Sequence, residues 1–465
     1  MFGLFKTKCP LDIREKVWTE RRLLWLSQRF GPKPMLNATI VLPTREFFPG
    51  TYSGTADDVV DTFGRVCEFL NVDASQFQLP EEIAAAASSG CCGGGCHTGS
   101  PTETTAEPTQ VDISGEDVAD QERLIATISR QVTRVLLLNH AEVTGREQDF
   151  DSLTDLVAVY LGLGVFQANT AVKSTAWHAQ GWEYWSIRGA GFLQARVPGY
   201  AMALMAWMRN EPAPAWAAML GTDAGSAFHR GYKFATKTND CLVRPDTFGR
   251  SEGTRSMAAV KDALANGTDT QQLDALWWMM ENPASGAGAV ESMTGCFRHR
   301  DPMMVAEACR VAASIGRDAE PVLPNLIESL SAPSYETRAW SATAIGQIKP
   351  PLDACPDGLP VSEELAPLLS DTRSEVVDAA MRTLATYGSE AAPLLGAVVP
   401  RLVRYARDCD FGLLRSGIAQ LVTVLEDPRS FLDEQMETTE AELRSRVLAE
   451  VDSVMAEQEE TATSV

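Results

Sequence analysis

The spacing of apolar residues predicts an N-terminal region that alternates helix and strand and a C-terminal region that is helical throughout. Val17, Leu23, Leu24, Leu26 and Phe30 recur near helical spacing over residues 12–30, which end at Gly31 and Pro32. ATIVLP at 38–43 reads as a short strand, and the turn-rich PTREFFPGTYSGT carries the chain to Thr55. Thr55 is placed to cap a helix over 56–71, whose Val59, Val60, Phe63, Val66, Cys67 and Leu70 share one face. Short strands are predicted at 76–79 and 110–114. Long apolar helices follow over 118–139 and 152–172, then an aromatic and glycine-containing loop over 177–192. Helices are expected at 198–210, 222–236, 255–266 and 269–281.

From about residue 300 the pattern repeats. VAEACRVAASIG (305–316), TRAWSATAIGQI (337–348) and VVDAAMRTLATYG (376–388) share small residues suited to close packing. Gly316, Gly346 and Gly388 are read as closing the three helices, at intervals of 30 and then 42 residues. Apolar segments at 322–331 and 365–370 supply the other member of each pair. The repeats resemble HEAT repeats, including the acidic turn at Asp371, and the resemblance implies an α-solenoid. Residues 426–465 are strongly acidic, with Leu443, Val447, Leu448, Val451 and Val454 in a thin stripe. They read as a solvated terminal helix and tail.

This divides the chain into an α-β-α part (1–85), a flexible Gly/Ser/Thr/Pro-rich loop (86–109), a helical core (110–250), a helical connector (251–300), repeats (301–425) and an acidic end (426–465). Acidic residues number 62 against 40 basic, a net charge of −22, which argues against nucleic acid as the main partner. No apolar run is long enough for a membrane span, and the start lacks a secretory pattern. Ten scattered cysteines read mostly as reduced, buried residues, so a cytoplasmic location is expected.

The chemistry centres on LIATISRQVTRVLLL (124–138), an apolar helix interrupted by Arg130, Gln131 and Arg134. A zincin places H-E-x-x-H on one helix because residues four apart share a face and reach one metal, while the glutamate activates its water. VWTERRLLWLSQRFG, IVLPTREFFPG, LTDLVAVYLGLGVFQANTAV and GYKFATKTNDCLVRPD together resemble an uncharacterised bacterial family with a zincin-like metallopeptidase domain, over roughly residues 5–250. The resemblance implies an α+β domain in which Arg130 and Arg134 occupy the histidine positions, Gln131 the glutamate position and Asp155 the acidic third-ligand position. Guanidinium offers no lone pair to a cation and an amide is no general base, so the inherited metal chemistry should be absent. His140 has the spacing of a further histidine in a longer zincin motif, but Leu137 stands where that motif has glycine.

Two fates are open to the arginines: pairing with Asp151 or Asp155 in place of a metal's charge, or reaching solvent over the helix surface. Cys91, Cys92, Cys96 and His97 form a compact set of soft ligands suited to zinc or copper, without the paired spacing of a structural site. Trp177, His178, Trp182, Tyr184 and Trp185 suit either a ligand pocket or an apolar seal between helices. The expected protein is a pseudoenzyme without a required cofactor that binds a protein or peptide through its helical repeats. The alternative is a metal-dependent hydrolase with a relocated site at His140, Asp155 or the Cys91–His97 cluster.

Overall fold

The computed structural model describes residues 7–90, 108–140, 143–171, 173–179, 182–188, 191–238, 240–249, 255–354 and 359–463. The chain divides into two compact units, Met1–Gly253 and Thr254–Val465. Both are mostly helical, and strands among the described residues are confined to two two-stranded pairs. The β component expected of an α+β domain is therefore slight.

In the first unit the elements run α1 (Ile13–Arg29), α2 (Lys33–Asn37), α3 (Ala56–Leu70), β1 (Phe77–Gln78), α4 (Glu81–Gly90), β2 (Thr109–Gln110), α5 (Gly115–Val118) and α6 (Gln121–His140). They continue with α7 (Phe150–Ala158), α8 (Gly164–Thr170), β3 (Lys173–Ala179), β4 (Trp182–Arg188), α9 (Arg196–Met208) and α10 (Thr222–Thr238). Local chemistry sets the helix starts. Thr55 and Asp58 form a reciprocal capping box on α3, and Asp12 caps α1 through the Glu15 amide. The short strand β1 pairs in parallel with β2, so the strand expected over 110–114 shrinks to two residues.

Three expectations need correction here. Residues 38–43 are not a strand. Ile40 and Val41 are buried, but the Val41 amide donates to the Gly162 carbonyl at 2.9 Å, pairing with a helix break instead of a sheet. The helix expected over 152–172 is interrupted by a wide turn at Val159–Leu163, where Gly162 takes φ 105°. A side chain there would collide with the Thr39 carbonyl, which explains why only glycine suits the position. The expected loop over 177–192 holds an antiparallel hairpin, β3–β4, with Trp177 opposite Tyr184 and Ala179 opposite Trp182.

Two apolar clusters fill this unit. One gathers Leu23, Leu26, Leu156, Tyr160, Met202 and Phe228 between α1, α7, α9 and α10. The other gathers Val59, Phe63, Ile125, Ile128, Val132 and Phe166 between α3, α6 and α8. Burial at about 25 cal/mol per Å² of apolar surface is what holds these helices together.

The second unit contains α11 (Met257–Asn266), α12 (Asp269–Glu281), α13 (Pro283–Gly286), α14 (Pro302–Ile315), α15 (Leu323–Ser329), α16 (Tyr335–Ile348), α17 (Val361–Leu365) and α18 (Ser374–Ala385). It ends with α19 (Val399–Arg407), α20 (Phe411–Val424), α21 (Pro428–Gln435) and α22 (Ala441–Thr463). Helices α14, α16, α18, α20 and α22 pack each against the next, in the manner of stacked repeats. Arg338 of α16 grips both oxygens of Asp371, in the turn before α18, at 2.7 and 2.9 Å. Gly316 and Gly388 do follow helices in positive-φ conformations, but Gly346 lies inside α16. Its missing side chain lets α18 approach, since a Cβ would sit 2.8 Å from Thr383 Oγ1.

The C-terminal stripe is also not solvated. Leu443, Val447, Leu448, Val451 and Val454 are all buried. Some of the acids around them are paired: Glu450 with Arg415, Asp452 with Arg429, and Asp433 with Arg444. No helix among the described residues is long and apolar enough to cross a membrane.

Candidate functional site

Helix α6 is held by two opposed demands. Leu124, Ile125, Ile128 and Val132 bury one side, while Arg130, Thr133, Arg134 and the buried Leu137 lie on the side that meets α7. The two helices run antiparallel, so residues four apart on one meet residues four apart on the other. Arg130 Nε lies 2.5 Å from Asp155 Oδ1, and Arg134 Nη1 lies 3.0 Å from Asp151 Oδ1. Between them the Thr133 hydroxyl bonds the Arg130 and Thr154 carbonyls, sealing the contact.

These pairs differ in character. The Arg130 and Asp155 side chains are 15% and 3% exposed, and the Arg134 and Asp151 side chains 49% and 50%. Screening by water leaves the outer pair weak, and Arg134 also lies 4.7 Å over the Phe150 ring. The inner pair is enclosed and fully engaged. Asp155 Oδ2 accepts the amides of Phe192 at 2.6 Å and Leu193 at 3.1 Å, so both carboxylate oxygens have donors. Arg130 Nη2 also donates to Gln167 Oε1 at 3.4 Å, and Gln167 Nε2 is anchored on the Ala126 carbonyl and the Ser129 hydroxyl.

Gln131 points away from this pair. Its amide grips the backbone of Asp112, donating to the carbonyl at 2.5 Å and accepting the N–H at 2.7 Å. It acts as a strand partner to the segment following β2. His140 is exposed in the last turn of α6, where a basic side chain complements the negative helix end. Cys91, Cys92, Cys96 and His97 lie outside the described residues. Trp177, His178, Trp182, Tyr184 and Trp185 lie on β3 and β4.

The patterns read from sequence did not single out Gln167, nor a second buried polar centre. Lys16 and Glu20, one turn apart on α1, form a salt bridge at 3.0 Å with both side chains enclosed. Tyr200 donates to Glu20 at 2.6 Å, and the Leu242 amide donates to the other oxygen at 2.5 Å. Burial by itself would lower the Lys16 ammonium, but the Glu20 charge outweighs it and raises the pKa. Burial drives Tyr200 well above its usual range and pushes the nearby Cys9 thiol up to about 12. The cluster ties α1 and α9 to the segment after α10, and burial keeps the Tyr200 hydroxyl and the Cys9 thiol protonated near neutrality. Its one sequence signal was the i, i+4 spacing of Lys16 and Glu20.

No family model matches the chain, and no curated protein matches it. Among solved structures it is similar to an engineered protein whose crystal structure comes from the Northeast Structural Genomics Consortium. That likeness has 21% identity and covers 42% of this chain and 96% of the other, at a TM-score of 0.29. A superposition so poor carries no argument about fold or function.

Proposed function

We propose that the protein is a pseudo-metallopeptidase: a cytoplasmic scaffold whose first unit has exchanged a metal site for an ion pair, and whose HEAT-like second unit binds a protein or peptide. The observation that carries this reading is the state of Asp155. A carboxylate that serves as a metal ligand keeps lone pairs for the cation, whereas this one accepts Arg130 on one oxygen and two backbone amides on the other. Arg130 supplies positive charge beside Asp155 without any capacity for Lewis-acid chemistry or water activation. The stacked helices α14 to α22 support the binding role, since successive repeats present an extended surface.

The test is restoration. Arg130→His, Gln131→Glu and Arg134→His combined recreate the zincin ligand pattern on α6, with Asp155 one helix away. If the framework descends from a metallopeptidase, the triple variant takes up one zinc per chain, measured by mass spectrometry of the dialysed protein, and Asp155→Ala abolishes the uptake. A folded triple variant that ignores zinc removes the basis for the metallopeptidase ancestry.

A further inference from the structure

The segment Gly191–Leu193 lies directly on the Arg130–Asp155 pair. Two independent features show how closely it fits. The amides of Phe192 and Leu193 both donate to Asp155 Oδ2, at 2.6 and 3.1 Å. Gly191, at φ +130°, passes so near the pair that a Cβ would fall 2.7 Å from Arg130 Nη2 and 2.9 Å from Asp155 Oδ2. Leu193 inserts into the core while the Phe192 side chain is 57% exposed. The segment therefore holds on by two charge-assisted bonds and one apolar anchor, and it connects the β3–β4 hairpin to α9.

We propose that Gly191–Leu193 is a latch: it closes over the inner ion pair and opens as a local unit. Opening uncovers Arg130 and Asp155 while the α6–α7 packing stays intact, because Thr133 and the apolar faces of those helices hold without the latch. The inference stands on these contacts and does not require a metallopeptidase ancestry.

Amide hydrogen exchange on the full chain tests it. Gly191→Ala forces a methyl group against the ion pair and should accelerate exchange at Phe192 and Leu193 by about tenfold or more, with α6 and α7 amides unchanged. Phe192→Pro removes one donor at a position whose side chain is outside the core, and should accelerate Leu193 likewise. Asp151→Asn, at the exposed pair, should leave both amides as they were. Persistent protection of Phe192 and Leu193 in Gly191→Ala, or of Leu193 in Phe192→Pro, overturns the latch. Protection lost equally across α6 and α7 overturns it too, since the segment would then be part of the cooperative core.

Discussion

Removing the Asp155 carboxylate should be far more damaging than removing that of Asp151, although the two sit four residues apart on one helix and each faces an arginine. Asp155→Ala strands an Arg130 side chain that is 15% exposed and leaves the Phe192 and Leu193 amides without their acceptor. Breaking a buried pair by deleting one partner costs about 3–5 kcal/mol, and each orphaned buried amide about 1–3 kcal/mol where water cannot reach it. Partial access of water to Arg130 and beside the exposed Phe192 side chain puts the total at the low end of that sum, about 5 kcal/mol. Asp151→Ala removes a pair half open to solvent and should cost about 0–1 kcal/mol. Because the chain has two units, a single melting curve mixes their transitions. Native-state hydrogen exchange at the buried α6 amides, Leu124 to Val132, isolates the first unit. A double substitution, Arg130→Met with Asp155→Leu, should recover the part of the loss due to the stranded charge and leave the cost of the two amides. Equal costs at Asp151 and Asp155, or a cost below about 1 kcal/mol at Asp155, would refute the view that the inner pair is the enclosed one.

Other consequences follow from the same geometry. Gly162→Ala puts a methyl group on the Thr39 carbonyl at φ 105° and should cost about 1–3 kcal/mol by denaturant titration, with the loss confined to the first unit. Burial raises the Cys67 thiol to about 11 and the Cys296 and Cys309 thiols to about 12, against 9.0 for a free thiol. The folded chain thus retains these protons where the unfolded chain releases them, so stability should fall as pH rises from about 9 toward 12, followed by circular dichroism. At the acid end burial works upward on Asp371, but the Arg338 hydrogen bonds and charge prevail and hold its carboxyl below 3.8. Its stabilisation is present above that value and is lost as pH falls through the depressed one, and Asp371→Ala should loosen α16 from α18 in hydrogen exchange at neutral pH.

The helices were legible because their signals are local. Thr55 reads as a cap in sequence and forms one in space, where Asp58 completes it, and the small-residue stretches around Val311, Ala342 and Ala379 do stack. Where the reading failed, the deciding interaction was distant. Ile40 and Val41 are β-branched and apolar like strand residues, but the Val41 amide donates to the broken helix at Gly162, some 120 residues on. The C-terminal stripe looked solvated because the helices that bury it, α19, α20 and α21, and the Arg415 and Arg429 that pair with Glu450 and Asp452, lie earlier in the chain. At the site, charge and spacing pointed to Arg130, Arg134, Asp151 and Asp155, whereas Gln167 and the Phe192 and Leu193 amides carried no mark. A backbone donor has no residue type to reveal it, and a glutamine in an apolar helix identifies neither its partner nor its direction.

The central claim is that an arginine has replaced a metal, and the zinc content of the purified, dialysed protein tests it most directly. The measurement is best made with Cys91, Cys92 and Cys96 replaced by serine, so that these thiols contribute nothing. The account predicts no stoichiometric zinc and no change on Asp155→Ala. One zinc per chain, retained through dialysis and lost with Asp155, would contradict it.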